Sequence, residues 1–488
     1  MNYKMMLNVL GKTLMIGAGL MICPLLVNFI CGEENYLSFI IPMAIMIVLG
    51  FGLSFIKPKD KSIYAKEGFA LVAIVWLLFS ITGALPFVIS GAIPNFVDAF
   101  FETVSGFTTT GATVLEGVQI DGMAKALTFW RSFTHWIGGM GVLVFVLAIL
   151  PSNSQGSMHI LRAESPGPTV SKLVSKMKFT ARILYLIYLG LTIIEFVLLI
   201  IGGMGAFDAL LHAFSTAGTG GFSTHSESIM FFNSAYIEIV ISIFMFLFAV
   251  NFNVFYLILI GNVKKAFKSE ELRAYAIIVT VATFTIAINL LSQSANFGEN
   301  LRHAFFQVAS ISSTTGFVSA SFGDWPMLSK VVLMLLMIIG ACGGSTGGAL
   351  KVSRLVILLK SGVAKIKKMG RPRQMINVKF EGEKLSDNTI ETTKTFFITY
   401  IIMALVATLL LSIDIPDFLA NFTSSLSCIG NVGPSFSTVG EVWSGSLMPS
   451  FALYSAPSKL LLSFLMLAGR LEIFPILILF SPSTWKKA

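Results

Sequence analysis

Charge is scarce in this 488-residue chain: 12% of its residues are Asp, Glu, Lys or Arg, 55% are hydrophobic, and the mean hydropathy is +0.82. That balance excludes an ordinary soluble globular protein. Cysteine is scarcer still. Cys23, Cys31, Cys342 and Cys428 are widely spaced, with neither a CxxC pair nor a neighbouring histidine cluster, which leaves no basis for a zinc site or a disulfide framework. His212, His225 and His303 include no pair at metal-ligand spacing, and no convergent set of catalytic groups is visible, so the sequence does not describe an enzyme. A long polar stretch that would form a soluble sensing domain is also missing.

What is present is apolar runs of roughly 20 residues, the length that crosses a bilayer, recurring along the whole chain. The expected fold is therefore an all-α polytopic membrane protein. The first run continues past Lys12 to about Cys31 without a small-residue cleavage site, and is expected to be a retained helix rather than a cleaved signal.

A net charge of +9 would suit nucleic acid, but the position of the charges argues otherwise. Basic residues crowd into alternate loops: Lys57, Lys59, Lys61 and Lys66; Arg162, Lys172, Lys176, Lys178 and Arg182; Lys264, Lys265, Lys268 and Arg273; and the stretch 360–394 with "KIKK" and "GRPR". Lys486 and Lys487 close the chain. Basic loops mark the cytoplasmic side, which places both termini there.

Between basic loops the chain crosses and returns, and each outer connection ends in a Thr/Gly-rich stretch: "FETVSGFTTTGATV", "LHAFSTAGTGGFST", "AFFQVASISSTTGFVS" and "NFTSSLSCIGNVGPSF". Aligned on Gly111, Gly221, Gly316 and Gly433, all four have a serine six residues earlier, at Ser105, Ser215, Ser310 and Ser427. Phe100, Leu210, Phe305 and Phe422 also coincide. This is an internal repeat with a period of about a hundred residues. It divides the chain into an N-terminal two-helix extension, 1–66, and four units, 67–178, 179–270, 271–390 and 391–488. Each unit is expected to hold a spanning helix, a short half-helix, the Thr/Gly stretch and a returning helix, the last near 129–150, 232–260, 329–360 and 457–481.

Non-helical backbone at membrane depth is tolerated only where protein buries it or a polar cavity borders it. Four such stretches converging on a pseudo-fourfold axis would line a cavity. Glycine lets the backbone take positive φ and turn its carbonyl inward, and a ring of carbonyls can replace the hydration shell of a monovalent cation. The stretches carry no acidic ring of the kind a divalent cation calls for. Close helix packing is the plainer use of small residues in membranes, but it does not explain a fourfold match in position.

At this point the chain resembles the membrane subunits of the Trk/Ktr potassium-uptake systems, of the TrkH type given its two extra N-terminal helices. The landmarks are "SGFTTTGATV", "RSFTHWIGGMGVLV", "AGTGGFST" and "GGSTGGALKVSR". The resemblance implies potassium-filter ligands at Thr109 and Thr110, Thr219 and Gly220, Thr314 and Thr315, and Asn431 and Val432, each pair preceding its aligned glycine. A serine in place of the first glycine would point toward sodium, so Gly111 argues for potassium. The fourth copy, "IGNVGP", has no Thr beside its glycine and carries Pro434, so the ring is expected to be only approximately fourfold. The resemblance further implies a membrane homodimer, a cytosolic nucleotide-binding ring of the TrkA type as partner, and a bacterial cytoplasmic membrane; no organic cofactor belongs to the chain itself.

The third returning segment carries "GACGGSTGGALKVSR", where glycines costing roughly 1 kcal/mol each relative to alanine make a break the expectation. The order GK[ST] and a preceding strand are both missing, which argues against a phosphate loop. By resemblance, Gly343, Gly344, Ser345, Thr346, Gly347 and Gly348 form an intramembrane gate reached by an arginine of the last helix, here Arg470. A charge inside a spanning helix costs roughly 2.5–3.5 kcal/mol and needs a polar partner. Residues i and i+2 do not share a helix face, so the loop carbonyls are expected to serve in place of Glu472. Arg131 and His135 stand at the start of a spanning helix, where interfacial anchoring and a pore role are equally compatible with the sequence. A secondary transporter coupling potassium to protons or sodium is the alternative. It needs an intramembrane carboxylate, and only Glu195 and Glu238 lie well inside apolar runs.

Overall fold

The computed structural model describes residues 2–58, 65–141, 177–371, 377–436 and 450–480. The stretch 142–150 of the first returning segment, the basic residues Lys59, Lys61, Arg162, Lys172, Lys176 and Arg373, and the tail with Lys486 and Lys487 lie outside the described residues. Six helices among the described residues are long and apolar enough to cross a membrane: Tyr3–Cys31, Tyr36–Ser54, Lys66–Ile89, Arg182–Ile201, Glu270–Leu290 and Asp387–Leu411. Ala235–Ala249 and Phe252–Leu259 together qualify as a seventh, bent by 92°.

The first two spans pack on each other through Gly11 and Gly50: a Cβ on either would stand within 2.8 Å of the other's carbonyl oxygen. Such small residues let helix backbones approach in a medium that gives no hydrophobic drive for association.

Four short helices follow the remaining spans: Phe96–Phe107, Ala206–Gly218, Phe297–Ser313 and Phe418–Gly430. At 1.5 Å rise per residue they are too short to cross roughly 30 Å of hydrocarbon. Their starts are set locally. The side chains of Asn95, Asn296 and Asp417 accept from the first-turn amides, and Asp98, Asp208 and Glu299 place negative charge where the helix dipole favours it.

Each short helix packs against the span before it and the helix after it. Each returning helix also packs on the next short helix: Lys125–Gly139 on Ala206–Gly218, Ala235–Ala249 on Phe297–Ser313, and Met327–Ile339 on Phe418–Gly430. Ala456–Arg470 packs on Phe96–Phe107 and closes the ring.

The returning helices depart from expectation. The sequence predicts a break in the third alone. The third does break, from Gly340 to Lys351, but the second also breaks, at Val250–Asn251, and the fourth stops at Arg470 before a new helix starts at Phe474. The first ends at Gly139. On the basic side a two-stranded hairpin pairs Lys379 with Lys384 and Phe380 with Glu383.

Candidate functional site: four loops and a broken helix

Every short helix ends the same way. A residue in the left-handed region, Thr109 (φ 56°), Thr219 (56°), Thr314 (63°) or Asn431 (53°), is followed two positions later by a glycine at φ 81°, 79°, 86° and 103° respectively. The amides of Thr110, Gly220, Thr315 and Val432 donate back to the carbonyls of Ser105, Ser215, Ser310 and Ser427 at 2.8–2.9 Å. This is a Schellman ending; it fixes the six-residue spacing through main-chain carbonyls, while of the four serine hydroxyls Ser310 Oγ donates to Phe317 O. The left-handed position is ordinarily glycine, because a β-branched side chain there is strained.

Here the side chains are anchored instead. Thr109 Oγ1 accepts from Arg470, Thr219 Oγ1 donates to Gly218 O, Thr314 Oγ1 accepts from Gly348 N, and Asn431 Nδ2 donates to Thr110 Oγ1 and Met466 O. The Thr315 hydroxyl is paired with Ser313, at 2.7 Å. These hydroxyls are therefore committed to protein partners. Among the described residues, no hydrogen bond ends on the carbonyl oxygens of the twelve residues from Thr109, Thr219, Thr314 and Asn431 to their glycines.

The glycines meet the loops in cyclic order. A Cβ on Gly111 would run into the carbonyl oxygen of Gly220, one on Gly221 into that of Thr315, one on Gly316 into that of Val432, and one on Gly433 into that of Thr110, the last at 2.6 Å. Close approach, and not positive φ alone, thus demands glycine at all four positions. The loops also sit at the C-terminal, partially negative ends of four helices, an arrangement that favours a cation over an anion.

Beside these loops lies the break at 340–351. Gly348 N bonds to Thr314, and Cβ atoms on Gly347 and Gly348 would press on the carbonyls of Ser313 and Gly430. Thr346 Oγ1 donates to Phe248 O, Cys342 N to Ala249 O, and Phe252 N to Gly344 O, which ties the segment to the bend at Asn251. Arg470 donates to Thr346 O at 2.7 Å, as expected from the loop-carbonyl reading, and also to Gly138 O at 2.5 Å and Gly139 O at 2.7 Å, which the sequence did not suggest. Glu472 pairs with Arg354 instead.

The family described as the TrkH cation transport protein matches residues 37–487. The chain belongs to the TrkH family. It is 34% identical over 497 residues to the Trk system potassium uptake protein TrkH of Salmonella typhimurium and to that of Escherichia coli, each alignment covering 100% of both chains. The crystal structure of the potassium transporter TrkH from Vibrio parahaemolyticus is similar at a TM-score of 0.89 and 30% identity, with 100% of each chain covered.

Other residues of this TrkH-family chain sit differently from what its sequence suggested. Arg131 and His135 are not interfacial anchors, being 4% and 0% exposed. Arg131 bonds Glu102 at 2.7 Å and Ser223 O at 3.1 Å and lies over Phe222, on whose ring His135 stacks. Glu102 also accepts from Thr113 Oγ1 and Val114 N. His212, at the equivalent position in the second stretch, bonds Ser223 Oγ. That these two lie eleven residues before their partners was the available signal. His225 stacks on Phe231 and approaches Asp208 at 3.8 Å, while His303 lies 3.4 Å from Ser319 Oγ. Glu238 is not deep in a span but in the first turn of Ala235–Ala249, paired with Arg302 at 2.9 Å; Glu195 is fully buried.

Proposed function

We propose that this chain takes up potassium across a bacterial cytoplasmic membrane through a gated, channel-like pore. Four repeated units build it, with termini on the cytoplasmic side. The ion is stripped of water by the carbonyls of Thr109–Gly111, Thr219–Gly221, Thr314–Gly316 and Asn431–Gly433, and four helix C-termini stabilise its charge. The observation that carries the reading is the cyclic contact of the four glycines with the carbonyls of the next loop, since a closed ring of unbonded carbonyls is what a dehydrated monovalent cation requires. The names of its relatives supply the ion: the similar proteins are potassium-uptake proteins.

Residues 343–348, held by Arg470, act as the gate. The basic segment 360–394 suits an acidic partner surface or anionic lipid; by family resemblance the assembly is a homodimer with a cytosolic ring of the TrkA type. The test is the zero-current potential of proteoliposomes holding the purified protein under a fixed potassium gradient and varied proton and sodium gradients. A potential following potassium alone supports the pore. A shift with the proton or sodium gradient beyond what a constant permeability ratio allows would replace it with a coupled transporter and direct attention to Glu195 and Glu238.

A further inference from the structure

The broken segment at 340–351 is fastened at both of its ends by one carboxylate. Glu271 belongs to the first turn of the span Glu270–Leu290 and is 4% exposed. Its Oε1 accepts from Gly343 N at 2.6 Å and from Ser353 N at 3.0 Å. Gly343 opens the Gly-rich run, and Ser353 is in the first turn of Val352–Gly370, where a negative group meets the positive end of the helix dipole. Asn251, at the bend of the second returning helix, lies beside the same carboxylate and faces Gly344, whose Cβ would stand 3.0 Å from Asn251 Oδ1.

The turn bearing Glu271 is itself held from the cytoplasmic side. Glu381, at the tip of the hairpin, accepts from Ser269 Oγ at 2.7 Å and from Glu271 N at 3.1 Å, and Lys360 bridges Glu270 Oε2 and Lys379 O. The backbone between the two clamped amides leaves the ordinary regions: Gly344, Ala349 and Lys351 all have positive φ, at 71°, 60° and 76°. Backbone in such conformations persists only where its surroundings fix it, and charge-assisted bonds to amides are among the stronger means of doing so.

We infer that Glu271 is a positioning residue that latches the 343–348 loop in its pore-obstructing position, so that releasing this carboxylate opens the pathway without touching the ion-selecting loops. The inference rests on the gate reading of that loop. Two native thiols make it testable apart from ion flux. Cys342 adjoins Gly343 at the clamped end, Cys428 lies in the fourth short helix, and both are fully buried.

The experiment compares the full-length protein with Glu271→Ala and Glu271→Gln in proteoliposomes, mapping labelling by a membrane-permeant thiol reagent at Cys342 and Cys428 by mass spectrometry. On the same vesicles, potassium flux and the potassium-to-sodium permeability ratio are measured. The latch predicts Cys342 labelling and potassium flux both raised by about tenfold in Glu271→Ala, the scale of losing charge-assisted bonds from one of two states. Cys428 labelling and the permeability ratio stay at wild-type values, and Glu271→Gln, which keeps an acceptor oxygen, falls between. Labelling of both cysteines rising together would mean general loosening and overturn the latch, as would unchanged labelling of Cys342. A wild-type protein without potassium preference would defeat the filter reading alone, because the ratio of the two thiol rates reports the latch independently.

Discussion

Arg131 and Glu102 form a buried ion pair, 2.7 Å from Nε to Oε1, that joins the outer flanks of two different loops. Glu102 grips Thr113 and Val114 just past the first glycine, and Arg131 grips Ser223 O just past the second. Removing one member of such a pair leaves an uncompensated buried charge, at about 3–5 kcal/mol, and a guanidinium cannot shed its proton to escape. Glu102→Gln should therefore lower the thermal midpoint measured in detergent and reduce the permeability ratio together. The double variant Glu102→Gln/Arg131→Gln should recover much of the stability. Additive losses in the double-mutant cycle would show that the pair does not act as a unit.

Replacing Gly111 by Ser tests the cyclic contact. The new Cβ strikes the Gly220 carbonyl, and φ 81° strains any L side chain. The Gly220 oxygen must swing away from the ion path. The expected result is a potassium-to-sodium permeability ratio lower by about tenfold, equivalent to about 1.4 kcal/mol, with flux retained. An unchanged ratio would remove Gly111 from the proposed filter.

Which parts of this could be read from the sequence follows from how local each signal is. The four glycines were legible because positive φ and close approach admit no other residue, and the local Schellman ending before each repeats the same spacing four times; the serines mark that register, but a main-chain bond does not require serine. The break at 340–351 was legible from its glycines. The break after Ala249 was not: "FLFAVNFNVFYLILIG" is apolar on both sides of Asn251 with no proline; the fourth returning segment turns at Glu472 and Ile473, both at positive φ, and its one local signal is Pro475 in the first turn of the next helix. Ile473 is β-branched, so local preference opposes the turn and tertiary bonding imposes it. Contacts such as Arg131 with Ser223, or Arg470 with Gly138, span different units and have no local signature at all.

Arg470 holds three carbonyls from two elements, Thr346 on the loop and Gly138 and Gly139 on the first returning helix. Arg470→Ala should free the loop and raise potassium flux in proteoliposomes by about tenfold, on the scale of one or two charge-assisted hydrogen bonds. Arg470→Lys keeps the charge but offers a single point donor where a fork is used, and should give an intermediate rise. A fall in flux for both variants would mean that the arginine supports an open pathway rather than restraining the loop.

Asn431 sets two opposing effects against each other. At φ 53° glycine would relieve a left-handed penalty of roughly 1–2 kcal/mol for an ordinary side chain, a penalty that Asn partly escapes. The Asn431 amide, however, donates to Thr110 Oγ1 and to Met466 O, both at 2.9 Å and buried. Losing both bonds removes about 1–3 kcal/mol in sum, so the bonds outweigh the relief and Asn431→Gly should be modestly less stable than the native protein. Asn431→Ala loses the same bonds and also carries the full conformational strain. The thermal midpoint should therefore fall in the order native, Asn431→Gly, Asn431→Ala. If Ala matched Asn, neither the strain nor the two bonds would matter there, and the fourth loop would owe its shape to packing of Val432 and Gly433 against the first and third loops.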